Sequence, residues 1–211
     1  MNGEYIEAGF LILLAGLMDI FDGKIARLLG ISSKFGVEFD SLADVVSFCV
    51  APSVLVYNIY CVELNTIVGS IFSFIPLIAG TVRLAKYNLE SDEDNPKSYF
   101  IGLSTPISTV TILAFMYFNN KIVGGGFYGD PRLGLSLVGV LGLLMLSPIH
   151  FPKAPLITFK SGHSNSLLLI ILIVSSFSLI IWKGFALLPI CLGYIITNTL
   201  LWVYRLRTTN P

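Results

Sequence analysis

Four aspartates, Asp19, Asp22, Asp40 and Asp44, stand at helical spacings inside two otherwise apolar stretches of this 211-residue chain. Charge at membrane depth is costly, so ionisable residues there mark a functional site by default. On an ideal helix Asp19, Asp22, Gly23 and Ala26 share one face, at i, i+3, i+4 and i+7. Asp40 and Asp44, at i and i+4, share a face of the next helix. Two short apolar helices facing each other would gather four carboxylates, with two small residues beside them. Four such charges cannot all stay ionised unless cations neutralise them. Two divalent ions would balance the count. All-oxygen ligands suit Mg2+ or Mn2+, and magnesium commonly borrows further ligands from substrate phosphates.

The elements that must position these residues are membrane helices. The chain is 55% hydrophobic and 12% charged, with a mean hydropathy of +0.81, whereas soluble domains carry about 25% charged residues. An integral, all-α bundle follows, and a net charge of zero gives no electrostatic case for nucleic acid. A spanning helix needs about 20 mostly apolar residues. Seven stretches qualify: 8–29, 39–61, 66–88, 100–118, 133–149, 166–182 and 185–204. Polar or glycine-rich turns separate them, among them 91–96, 124–126 and 151–165. The triple glycine has no following Lys-Ser/Thr and reads as a loop, not a phosphate cradle. Cys49, Cys61 and Cys191 are widely spaced and odd in number, which makes them packing residues. His150 and His163 lack a second histidine at ligand spacing and read as loop or interface residues.

Basic residues set the orientation. With the 30–38 loop in the cytoplasm, that side collects Lys24, Arg27, Lys34, Arg83, Lys86, Lys97, Lys153, Lys160, Arg205 and Arg207. The other side keeps Lys121, Arg132 and Lys183. The aspartates then lie toward the cytoplasmic ends of their helices, within reach of water-soluble substrates and metal ions.

The full pattern, Asp19-x2-Asp22-Gly23-x2-Ala26-Arg27-x8-Gly36-x3-Asp40-x3-Asp44, resembles the signature of the CDP-alcohol phosphotransferases, with all eight defined positions filled over 26 residues. The resemblance implies a lipid or alcohol activated as a CDP diester, from which an incoming hydroxyl displaces CMP. It implies that Asp19, Asp22, Asp40 and Asp44 are ligands of two divalent cations, Mg2+ or Mn2+. It places Gly23, Ala26, Arg27 and Gly36 at the CDP-lipid: Gly23 and Ala26 leave room, and Arg27 reaches a phosphate oxygen. Gly36 can equally serve the turn into the second helix. A hydroxyl nucleophile must lose a proton, and Asp44 can take it as general base or serve only as a ligand. Members resembling this chain usually carry another spanning helix before the first aspartate helix. Only seven residues precede the first span here, so either the bundle works without that helix or the start is truncated.

Two further stretches, 80–88 and 100–106, and the Pro52 region resemble the phosphatidylserine synthase branch of the family. That branch implies CDP-diacylglycerol, or an archaeal ether-linked analogue, and L-serine as substrates, with membrane lipids around a homodimer. Arg83 and Lys86 could meet the serine carboxylate, and Asn88 could hydrogen-bond either polar group. The resemblance covers residues 8–153. The expected organisation is a catalytic bundle over 1–153 and two additional C-terminal spans over 154–211. Sister enzymes using glycerol 3-phosphate or inositol phosphate are the nearest alternative. A non-enzymatic transporter or ion-binding membrane protein is the contrasting class.

Overall fold

The computed structural model describes residues 4–29, 33–90, 99–124, 126–152 and 184–209. The sixth expected span, 166–182, and His163 lie outside them. Helix α1 runs Tyr5–Leu28 and carries the first aspartate pair. Helix α2, Lys34–Val45, starts at Ser33, whose hydroxyl accepts the Gly36 N–H at 3.0 Å and satisfies one free donor of the first turn.

From α2 the chain continues as one helical element through a π-turn (Val46–Val50), α3 (Ala51–Val56) and a second π-turn (Tyr57–Cys61). The first widening has a local cause. Pro52 has no N–H, and its ring would crowd the carbonyl of Phe48 in an α-helix. The turn opens instead, so that the Ala51 N–H reaches the Val46 carbonyl, five residues back. The Phe48 carbonyl, without its Pro52 donor, accepts Thr109 Oγ1 from another helix at 2.8 Å.

The expected span 66–88 is bent. Helix α4 (Thr66–Ser73) and helix α5 (Ile75–Glu90) meet at Phe74. Pro76 cannot donate to Phe72, which produces the break. The Phe74 N–H to Ser70 and Ile78 N–H to Phe74 bonds carry the direction across it.

The expected span 100–118 starts later than its hydropathy suggests. Residues Tyr99–Ile101 form strand β1, and helix α6 occupies Thr105–Val123. Strand β1 pairs antiparallel with β2 (His150–Pro152), Phe100 opposite Phe151. Gly102 adopts φ +75, and a Cβ there would meet the Met145 carbonyl. Glycine alone makes this turn without strain. Helix α7 spans Pro131–Leu146, capped by Asp130 on the Arg132 N–H at 2.8 Å. Helix α8 spans Leu187–Thr209.

The core gathers Val56, Leu103, Ile112, Met116, Val138, Leu141 and Phe151, and α8 adds Ile195 to it. Phe10, Leu14, Leu17 and Phe21 of α1 and Leu200 of α8 face outward, as they can where lipid is the solvent. Three described helical stretches are long and apolar enough to cross a bilayer: Glu38–Cys61, Thr66–Leu89 and Leu187–Arg207. Pro131–Leu146 is apolar but shorter. The fold is thus an integral membrane helix bundle, with three spans met by length and apolarity against seven expected. All three cysteines are buried and free. His150 is exposed, its ring 4.2 Å from that of Tyr99.

Candidate active site

The site lies where the C-terminal halves of α1, α2 and α5 converge. Helix α2 packs on α5, and the π-turn after α2 packs on α1, α5 and α6. Carboxylate oxygens of Asp19, Asp22 and Asp40 all lie within 4.8 Å of one another. Asp19 is half-buried, and Asp22 and Asp40 are exposed. Asp44 stands outside this trio, deeper in the bundle, yet within electrostatic reach of Asp19, Asp22 and Asp40. Its Oδ1 is sealed from solvent and has no hydrogen-bond partner. A buried oxygen left so is costly, and a cation is the partner that suits a carboxylate. The donors therefore fit divalent ions: oxygen ligands, close together, from two helices. The sequence reading expected four ligands, with Asp44 also a candidate base; the structure groups Asp19, Asp22 and Asp40 and leaves Asp44 outside that trio.

The α1 helix displays Gly23 beside Asp22 with nothing within 4 Å of a hypothetical Cβ, which leaves open space there. The side chains of Ala26 and Arg27 lie outside the described set. Gly36 is exposed in the first turn of α2, where a Cβ would crowd the Ser33 hydroxyl at 3.3 Å. Its observed work is in the helix start.

The three acceptor candidates diverge. Arg83 is only 6% exposed and is the one charged side chain fully buried among the described residues. Its guanidinium sits 5.6 Å from the Tyr87 ring centroid and 5.4 Å from that of Phe100. Asp44 is within electrostatic reach of it, and its Nε is buried without a partner. Lys86 is exposed. Asn88 donates Nδ2 to Ser41 Oγ at 3.0 Å, tying α5 to α2 between Asp40 and Asp44.

Phe100 opens the 100–106 stretch, in which the sequence indicates no contact to substrate. The β1–β2 pairing holds it against Arg83, while Tyr194 of α8 stacks on its cross-strand neighbour Phe151 at 6.0 Å. Tyr194 also donates its hydroxyl to the Pro152 carbonyl at 3.2 Å. Aromatic rings flanking a guanidinium hold it by cation–π attraction while leaving its edge free to take an anion. Only the Tyr87 contact follows from spacing, one turn on from Arg83 in α5; Phe100 and Phe151 come from separate strands, which no spacing signals.

The described residues thus bring together an acidic cluster and a buried arginine in an apolar helix bundle. The chain belongs to the CDP-alcohol phosphatidyltransferase family, whose model matches residues 1–149. It is similar to a CDP-diacylglycerol–serine O-phosphatidyltransferase of Helicobacter pylori, 34% identical over 95% of this chain and 81% of the relative. The enzyme of that name from Methanocaldococcus jannaschii is 35% identical over 81% of this chain and 76% of its own length. An archaetidylserine synthase of Methanothermobacter thermautotrophicus is 32% identical over 72% of this chain and 61% of its own length.

Proposed function

We propose that this protein transfers the phosphatidyl group of CDP-diacylglycerol, or of an ether-linked counterpart, to the hydroxyl of L-serine, releasing CMP. The observation that carries the reading is the arrangement of the Asp19, Asp22 and Asp40 carboxylates beside a buried Arg83 and Asp44. The relatives support it: two are named CDP-diacylglycerol–serine O-phosphatidyltransferase and the third archaetidylserine synthase.

The serine hydroxyl oxygen attacks the lipid-bearing phosphorus. The bond from that phosphorus to the bridging oxygen breaks, and its electron pair leaves on CMP. Asp44 takes the hydroxyl proton. Asp19, Asp22 and Asp40, with Asp44 beside them, would hold two divalent cations, Mg2+ or Mn2+. When bound, these ions neutralise the pyrophosphate and stabilise the departing phosphate. The space beside Gly23 admits the nucleotide, and the motif assigns Ala26, Arg27 and Gly36 to CDP-lipid binding as well. Arg83 meets the serine carboxylate, which ethanolamine lacks. Lys86 and Asn88 stand as outer contacts at that end.

The site faces the cytoplasm in this reading, because the sequence places most Lys and Arg at the aspartate end. The protein works as a homodimer among membrane lipids, which its mass in detergent would check. The residues over 1–153 form the catalytic bundle, and those over 154–211 add spans to it.

Purified protein given CDP-diacylglycerol, Mg2+ or Mn2+ and a panel of alcohols tests the proposal by CMP release. Serine should react best, excess EDTA should abolish the reaction, and either divalent ion should restore it. Preference for glycerol 3-phosphate or inositol phosphate would move the acceptor assignment to a sister enzyme. No CMP release with any acceptor would favour a transporter.

A further inference from the structure

Asp40, Asp44, Phe48, Pro52, Val56 and Tyr60 recur every four residues along one helical element. In a straight α-helix such a stripe drifts by about 40° per step, or about 200° over its five steps. Tyr60 would then point away from Asp40. Yet Phe48, Pro52, Val56 and Tyr60 are all buried, and Asp44 above them has a sealed oxygen. The two π-turns account for this. Each adds one residue without advancing the face, about 100° of phase, so two cancel the drift.

The first π-turn, Val46–Val50, lies between Asp44 and the buried anchor at Val56. With α3 fixed in the core, closing that turn to α geometry would swing Asp40 and Asp44 by about 100°, away from Asp19, Asp22 and Arg83. Two residues hold it open. Pro52 removes the donor that would close it, and Thr109, 1% exposed on α6, donates to the carbonyl Pro52 leaves behind.

We propose that Thr109 is a positioning residue: through the Phe48 carbonyl it fixes the helical phase that turns Asp40 and Asp44 into the metal site. Its kinetic consequence rests on the phosphatidyltransferase reading, whereas its consequence for metal binding does not.

The test compares Thr109→Val, Thr109→Ser and Pro52→Ala with wild type in detergent. It measures Mn2+ affinity by electron paramagnetic resonance, CMP release with serine, and Tm. Thr111→Val is the control, a buried hydroxyl on the same helix that bonds its own Ile107 carbonyl. Thr109→Val and Pro52→Ala should each lose about tenfold or more in Mn2+ affinity and in kcat. Thr109→Ser should stay close to wild type, as should Thr111→Val. If Thr109→Val fails to fold, Pro52→Ala, which restores the missing donor, decides the matter. Wild-type Mn2+ affinity in the folded Thr109→Val or Pro52→Ala protein overturns the inference, even if Tm falls. So does a wild-type protein that binds no Mn2+. A wild type that binds Mn2+ but releases no CMP with serine would overturn the acceptor reading alone, and the Mn2+ comparison would still decide the role of Thr109.

Discussion

In the proposed reaction Asp44 and Arg83 carry different roles at the residue scale, proton acceptor and carboxylate partner, and single substitutions separate the two. Asp44 is set apart from the carboxylate trio, with one oxygen sealed and unpartnered. If it chiefly takes the serine proton, Asp44→Asn should still bind CDP-lipid and at least one metal ion. It should lose turnover by a factor of about 100 or more. Equilibrium binding of a CDP-lipid analogue, measured beside CMP release, checks this. Binding lost as severely as in Asp19→Asn would make Asp44 a ligand only. Arg83 is buried between two rings and is not an anchor reaching for the interface. A charge-assisted bond to the serine carboxylate contributes about 1.5–3 kcal/mol, roughly ten- to a hundredfold in affinity. Arg83→Ala should therefore raise the serine KM by that factor and leave the CDP-lipid KM nearly unchanged. Equal effects on both would assign Arg83 to the nucleotide-lipid instead.

Helices and turns explain which parts of the site the sequence revealed. The aspartates were legible because each pair repeats within one helix, at spacings that define a face without tertiary information. The apolar character of the surrounding stretches was legible for the same local reason. The phase between Asp44 and Tyr60 was not, since a helical wheel assumes 3.6 residues per turn and the π-turns depart from it. The hairpin was hidden too. Tyr99–Ile101 read as the start of a span, but its partner His150–Pro152 lies beyond two helices. Gly102 is the local clue that a turn, not a helix, begins there. Its positive φ and the approach of the Met145 carbonyl exclude a side chain. Gly102→Ala should destabilise the protein by about 1–3 kcal/mol, seen as a lower Tm in detergent. It should also raise the serine KM, because the hairpin carries Phe100. A variant as stable as wild type would mean that the turn relaxes at no cost.

The whole molecule links its last helix to its site through a short chain of contacts. Helix α8 shares the core through Ile195 and presses Tyr194 on Phe151. Phe151 pairs across the hairpin with Phe100, and Phe100 lies against Arg83. No chemistry is assigned to α8 from its sequence, and among the described residues none of α8 lies in the acidic cluster. One route from it to the site runs through the hairpin. Tyr194→Ala removes the ring and the bond to Pro152, loosening the strand that positions Phe100. Loss of one desolvated cation–π contact at Arg83 is about 1–2 kcal/mol, roughly five- to thirtyfold. Tyr194→Ala should thus raise the serine KM by no more than that, and Phe100→Leu should approach it. Both should leave Mn2+ affinity unchanged, because the hairpin does not touch the carboxylate trio. A packing role alone would lower Tm while the serine KM of the folded fraction stayed at wild type, and that outcome would detach α8 from acceptor recognition.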